Sequence, residues 1–331
     1  MEYPSLDKPT AGAFRFYTDS SQLEIYDGNQ WTGVSATSPE QQTGGTRMVI
    51  GGGLNPGGGA NHMLYVNVST TGNSVNFGNF AAGSLTHSIQ SGSSRTRGIF
   101  AGGYRNNIEY ITISTTGNGI DFGDKIDYVY QTSQAYSSNS TRMLTMNGYN
   151  NPSGSGTWAG VNQIQKIQMS TLGNSQDFGD AQTSHYFLAA VASPTRAVFG
   201  STDANIQYIN FATQGNSSTF GTIPNGARYS AHSNAVRGVF SGTGSASGLC
   251  QYVTIATLGN STDFGNLTQA RYYNSASGSC TRGVVAAGTT PAYQVTIDYY
   301  QIATTGDLVD FGDLNEARPR SAALSNGHGG L

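Results

Sequence analysis

At 331 residues, with 45 glycines, 11% aromatic and 11% charged side chains and a formal net charge of -3, the chain has the profile of strands and tight turns, not of long surface helices. No basic tract is present, which argues against nucleic acid as a partner, and no run is long and apolar enough for a membrane-inserting helix. Cys250 and Cys280 cannot form the disulfide framework of a small secreted domain, and pairing between these two, which fall in neighbouring repeats, stays open.

In chain order, the start MEYPSLDKPTAGAFRFY reads without a secretory signal. Gly12 to Val34 then reads as a small meander: a strand at Phe14–Tyr17, a Thr-Asp-Ser-Ser turn, a strand at Leu23–Tyr26, an Asp-Gly turn and a strand at Trp31–Val34. So short a meander cannot bury its own aromatics, so it is expected to pack on another surface. A polar stretch, Ser35 to Thr46, follows as a linker. The expected division is 1–45 for meander and linker and 46–331 for the rest.

From Thr46 onward one phrase recurs. T-x-G-N/D followed by Phe-Gly places phenylalanines at Phe77, Phe122, Phe178, Phe220, Phe264 and Phe311, with spacings of 45, 56, 42, 44 and 47 residues. A unit of that length is one supersecondary element sharing a core with its neighbours. Each holds four short runs, as in SLTHSIQSGS, RGIFAGG, IEYITIST and IDFGDKI of the second unit. The second run closes in Gly or other small residues, the third alternates apolar and polar side chains, Gly-Asn or Gly-Asp supplies a turn, and the Phe-Gly run is a short outer strand. A brief edge containing Gly is a poor template for unwanted pairing. Four antiparallel strands repeated six times predict an all-β, six-bladed β-propeller. The first unit lacks an inner strand and the last is followed by a surplus run, so Arg320 to Asn326 is expected to close the ring as the innermost strand of the first blade.

Arg47, Arg97, Arg142, Arg196, Arg237 and Arg282 open the second strand of all six units. Six equivalent copies cannot each be catalytic, because a catalytic site converges unlike groups on one place. They are expected to span blades and satisfy carbonyls or the Asx before Phe-Gly.

Asp-Phe-Gly at Asp121, Asp177, Asp263 and Asp310 spells the kinase magnesium motif without its partner motifs, so it reads as turn and edge. Asp177 with Asp180, or Asp310 with Asp313, could offer calcium oxygen ligands but supplies two carboxylates with no third nearby, so calcium in a blade loop stays open, and the five histidines lie at different repeat offsets. No catalytic residue, cofactor or metal is expected, and the inner strands, rich in Ser, Ala, Gly and Asn, suit a narrow channel lined by small groups. The long insertions between second and third strands, GGGLNPGGGANH and Asn147 to Gln163, point to loop binding instead, with Tyr149, Asn150 and Trp158 as candidate ligand contacts.

At RGxFxGG, xxYIxI, the turn and the outer aromatic, residues 46 to 328 resemble the kelch-type propeller, with Phe where kelch repeats place Trp. The N-terminal segment resembles a module of tailed-phage fibre and other virion proteins. The likeness is carried by Gly12, Arg15, Phe16, Thr18, Asp19, Leu23, Glu24, Tyr26, Asp27, Gly28 and Trp31, and the T-x-G-N-x-x-D-F-G repeats look like those of phage virion proteins as well. These resemblances imply a non-enzymatic virion structural protein, tail or fibre associated, assembled in the host cytoplasm. Phe14, Arg15, Phe16, Leu23, Tyr26 and Trp31 would attach it to other virion proteins as a homo-oligomer, with the ring displayed toward a host surface glycan or a protein. The alternatives are a capsid decoration or head fibre protein and a bacterial lectin-like adhesive propeller. A propeller enzyme would need unlike residues converging at the channel mouth.

Overall fold

The computed structural model describes residues 9–17, 22–34, 46–81, 88–103, 105–126, 129–130, 137–150, 159–184, 188–200, 203–226, 230–242 and 247–328. Among them every regular element is a strand. The chain divides into two compact units, Met1–Gln42 and Thr43–Leu331.

The smaller unit is a three-stranded antiparallel sheet of Phe14–Tyr17, Gln22–Tyr26 and Trp31–Val34 in sequential order. Its second turn forms because the Asp27 carboxylate accepts the backbone N–H groups of Asn29 at 2.7 Å and Gln30 at 2.9 Å, while Gly28 takes φ 105°. The same N–H groups, Gln30 first, hold the Asp27 carboxyl below its usual range. Tyr26 is buried against Trp31 at 5.4 Å, and the Arg15 guanidinium lies 4.3 Å over Trp31 and 2.7 Å from Glu24.

Among its described residues the larger unit contains six four-stranded antiparallel sheets. Sheet 1 has Arg47–Gly51, His62–Asn67 and Val75–Asn79 with an inner strand, Ala322–Ser325, from the far end of the chain. Sheets 2 to 6 run from inner to outer strand in chain order: Ile89–Ser93 to Ile120–Asp124, Val129–Tyr130 to Gln176–Asp180, Ala189–Ala192 to Ser218–Thr222, Ser230–Ser233 to Thr262–Asn266, and Ser275–Gly278 to Val309–Asp313. The C-terminal run does supply sheet 1's innermost strand, pairing Ala322 with Gly51 through Ser325 with Met48, and the Asn326 side chain accepts the Arg47 N–H at 2.9 Å.

The core lies between sheets. Its six clusters each draw on two consecutive sheets, and the last, with Met48, Ile50, Val284 and Phe311, joins sheet 6 back to sheet 1. Each outer strand contributes only its Phe to these clusters, through a register shift opposite the third strand that leaves Phe122, for example, unpaired. Inner strands such as Ser275–Gly278 and Ala322–Ser325 are wholly buried. Several of their hydroxyls tie neighbours together: Ser91 donates to the Ala323 carbonyl and Ser93 to that of Ser325, both at 2.6 Å, and Ser233 to that of Ala192 at 2.7 Å. His232 and His328 sit fully buried in the same layer, each ring Nε2 meeting a backbone carbonyl, of Ser279 at 2.9 Å and of Ser93 at 3.1 Å. Burial pushes both imidazoles down to about 4.

The outer edge is protected differently from the reading as a short, glycine-weakened strand. Gly117 donates its N–H to the Phe77 carbonyl at 2.9 Å, and the Asn118 side chain accepts the Asn79 N–H at 3.0 Å, so the turn of one unit covers the edge of the one before. The pattern repeats to closure, where Gly72 donates to Phe311 at 2.9 Å and Asn73 accepts from Asp313 at 3.0 Å. The glycine after Phe exists for this approach: a Cβ on Gly78 would lie 2.0 Å from the Gly117 carbonyl oxygen, and one on Gly312 2.6 Å from that of Gly72.

Candidate functional site

The six repeated arginines form a second closed circuit at the hairpin end of the sheets. Each guanidinium donates to a carbonyl of the next sheet: Arg47 to Ser114 at 2.7 Å, Arg97 to Met169 at 2.7 Å, Arg142 to Phe211, Arg196 to Ile255 at 3.0 Å, Arg237 to Ile302 at 2.9 Å and Arg282 to Val68 at 3.0 Å. Five of them lie 4.3–4.9 Å over the Tyr of their own sheet, Tyr65, Tyr110, Tyr208, Tyr252 and Tyr299. In these bonds the carbonyls, not the Asx before Phe-Gly, are the acceptors. Repetition here serves packing.

The opposite end, where second-to-third-strand loops and sheet-to-sheet linkers emerge, departs from repetition. The insertion in unit 1 folds as a hairpin of Leu54–Asn55 and Gly58–Gly59, and unit 6 carries a comparable hairpin of Thr289–Thr290 and Ala292–Tyr293 that the sequence reading did not single out. Two linkers place a fully buried arginine under these loops. Arg271 reaches Asp298 at 3.0 Å and the Val285 carbonyl at 3.3 Å. Arg318 donates to the carbonyls of Gly52 and His62, both at 3.1 Å, to Glu316 at 2.9 Å and to the His62 ring. Desolvation lowers the pKa of both, opposed by Asp298 and Glu316 respectively. Sequence reasoning missed them, although the signal was present as Ala-Arg at 227–228, 270–271 and 317–318.

Just beyond, three residues other than glycine take positive φ at equivalent places before the inner strands: Ser88 at 57°, Tyr273 at 57° and Arg320 at 60°. They are bonded in a row, Ser88 N–H to the Arg320 carbonyl at 3.1 Å and Arg320 N–H to the Tyr273 carbonyl at 2.9 Å. Such conformations are costly for bulky side chains and persist where surrounding structure holds them. Arg320 lies 4.4 Å over Tyr273, which meets Tyr272 edge to face at 4.9 Å. Beneath them Asn274 is fully buried with neither amide atom partnered, and the Nε and Nη1 of Arg271 are likewise unpartnered. Asn274 and Arg271 are sealed from solvent, and Tyr273 and Arg320 are the part-exposed members of this group. His62 and Glu316 lie 2.7 Å apart. Desolvation first, and Arg318 second, pull His62 below its ordinary value, against the opposing effect of Glu316, and Arg318 faces the same Nε2.

Of the sequence-derived contacts, Tyr149 and Asn150 lie in the strand Arg142–Asn150, paired to Gly160 and Ala159, while Trp158 lies outside the described residues. In the smaller unit Phe14 is 66% exposed and Leu23 42% exposed, Tyr26 is buried, Arg15 and Trp31 stack, and Phe16 is placed only as a strand residue. Cys250 is buried and Cys280 exposed, both as free thiols; burial pushes Cys250 up to about 11. Among the described residues no group of three His, Cys, Asp or Glu is placed to hold a metal, and no helix is long and apolar enough to cross a membrane.

No known family profile and no curated protein matches the chain. Among solved structures it is similar to one titled "Structure of YjhT", with a TM-score of 0.57 and 9% identity over 72% of this chain and 87% of that one. YjhT is a kelch-like β-propeller, and the larger unit here is a kelch-like propeller built of four-stranded antiparallel sheets.

Proposed function

We propose that the chain is a non-enzymatic structural protein of a phage virion, tail or fibre associated, whose N-terminal meander attaches it to other virion proteins and whose six-bladed ring is displayed for a host surface glycan or a protein contact. Supporting the six-blade reading are the closed circuits of turn, arginine and core contacts, each of which returns from sheet 6 to sheet 1. Supporting the non-enzymatic reading is the use of the repeated polar groups as ties between sheets; among the described residues, unlike side chains gather on the linker face around Tyr273, Arg320 and Asn274. An exposed Phe14 and Leu23 on a sheet too small for a core of its own support the attachment role.

Mass spectrometry and immunogold labelling of purified particles from a phage encoding this chain test the assignment. The chain is expected in intact particles with label on the tail or fibres; its absence from particles ends the reading. A glycan array probed with the full chain and with Arg320→Ala tests the face, with loss of signal in the variant expected.

A further inference from the structure

The junctions between sheets are not packed alike at the end nearest the linkers. Between sheets 1 and 2 that layer is apolar. Ala322 and Ile89 belong to the cluster there, and the Phe80 and Phe100 rings fill the space over Gly51, where a Cβ would lie 2.8 Å from each. Between sheets 6 and 1 the layer is polar and closed by a direct contact, Ser275 Oγ to Ser321 Oγ at 3.1 Å.

Between sheets 5 and 6 polar groups gather without that closure. On sheet 5, Ser230 is paired with Ser241 and Ser241 with Cys250, so the three share the face that Cys250 turns to the cluster joining the two sheets. On sheet 6, Asp298 is paired with Val285 of the same cluster. Asn274 lies against sheet 5, because a Cβ on Gly242 would be 3.3 Å from its Nδ2 and 3.5 Å from its Oδ1. Val285 and Leu267 stand where sheets 2 and 1 have Phe100 and Phe80, so smaller groups replace the two rings. Ser230, Asn274 and Arg271 are at most 1% exposed, yet Ser230 Oγ, both amide atoms of Asn274 and the Nε and Nη1 of Arg271 have no protein partner. Native interiors pair nearly all such atoms.

The unmet atoms define what would satisfy them. Asn274 Oδ1 requires a donor, whereas Asn274 Nδ2 and the two arginine nitrogens require acceptors, so the occupant must both donate and accept. The charge of Arg271 is already met by Asp298 at 3.0 Å, so an anion would be buried without a counter-charge and would face Asn274 Oδ1. Burial on all sides restricts the occupant to something small enough to be enclosed as the sheets pack. Water meets all three conditions.

We propose that the linker end of the junction between sheets 5 and 6 is a water-binding site, in which ordered water bridges Asn274, Ser230 and Arg271. It takes the place of the direct Ser275–Ser321 contact of the next junction. The site is internal to the larger unit and independent of the function proposed above.

A crystal structure of the full-length chain, grown with bromide as the halide and at a resolution that shows ordered solvent, tests the site. A solvent peak without anomalous signal is expected within hydrogen-bonding distance of Asn274 and of an Arg271 nitrogen. An anomalous bromide peak there overturns the proposal, as do Asn274 and Arg271 side chains bonded to protein groups with no solvent between them. In solution, oxygen-17 relaxation dispersion reads long-lived internal water, and Asn274→Leu is expected to lose part of the amplitude of the unaltered chain. An unchanged amplitude in Asn274→Leu that still melts cooperatively overturns the proposal, and the crystallographic test needs no variant.

Discussion

The two ends of the ring use the same residue type in opposite ways. At the hairpin end six arginines occupy one repeat position and perform one task, donating to the next sheet across a Tyr ring. At the linker end Arg271, Arg318 and Arg320 belong to only two linkers and do three different things: one is sealed against Asp298, one is shared among Glu316, His62 and two carbonyls, and one stands over Tyr273 at a positive φ. Repeated residues reveal what the architecture needs, and unrepeated ones mark where it has been diverted to another use.

The comparison can be broken most severely at closure. Removing Ala322 to Leu331 deletes sheet 1's innermost strand with its Arg47 and Ser93 contacts, and a chain so truncated should fail to give a cooperative melting transition, as read by circular dichroism. Next in size are the outer aromatics. Phe178→Ala, in the cluster joining sheets 3 and 4, should cost about 3–5 kcal/mol in urea unfolding. If a repeat position is architectural, Phe220→Ala should cost nearly the same.

Acid should act through His232 and His328. Both stay neutral in the fold down to about pH 4, whereas the unfolded chain's imidazoles take up protons near 6.5, so the unfolded state binds more protons below that value. Stability present above pH 6.5 is therefore lost as pH falls toward 4, by about 3 kcal/mol per histidine. A His232→Gln/His328→Gln double variant should show a flatter decline of melting temperature over that window. The smallest effects sharpen the contrast between the ends. Arg196→Met should cost about 1–2 kcal/mol through its lost carbonyl contact, while Arg320→Ala should leave stability within about 0.5 kcal/mol and change only ligand binding.

Much of the architecture was legible from the chain. Period, strand alternation, the Asp27-Gly28 turn and the closing run before Asn326 are all local patterns, or the lack of one at a predictable place. The interpretation of Gly-Asn was only half legible. Asn118 and Asn73 look like turn residues, but their side chains accept from a strand belonging to the preceding unit, a relation that no single repeat displays. The third-strand position before Tyr, or before Lys166 in sheet 3, was missed altogether. Glu109, Gln165, Gln207 and Asp298 there are buried polar residues that read as the solvent face of an alternating strand, yet they accept N–H groups from the linkers at Ala81, Ile126, Gln182 and Thr268. Sheet 1 has Leu64 at this place, and Ser74 takes over by accepting from Asn315 at 2.9 Å. The linker face was least legible because Ala-Arg recurs before only three inner strands, and the partners of Arg271 and Arg318, among them Asp298, Glu316 and His62, come from other elements.

Each outer edge is covered by the turn that follows it, and the circuit ends where it starts, with Asn73 accepting from Asp313. A linear array of repeats needs specialised first and last members to shield its ends, but this one has neither, so every unit is interior. Its copy number is thereby fixed by geometry: a chain that gained or lost one unit could not leave a spare edge in solvent, and would have to change the angle between all the others or find its missing neighbour in another molecule.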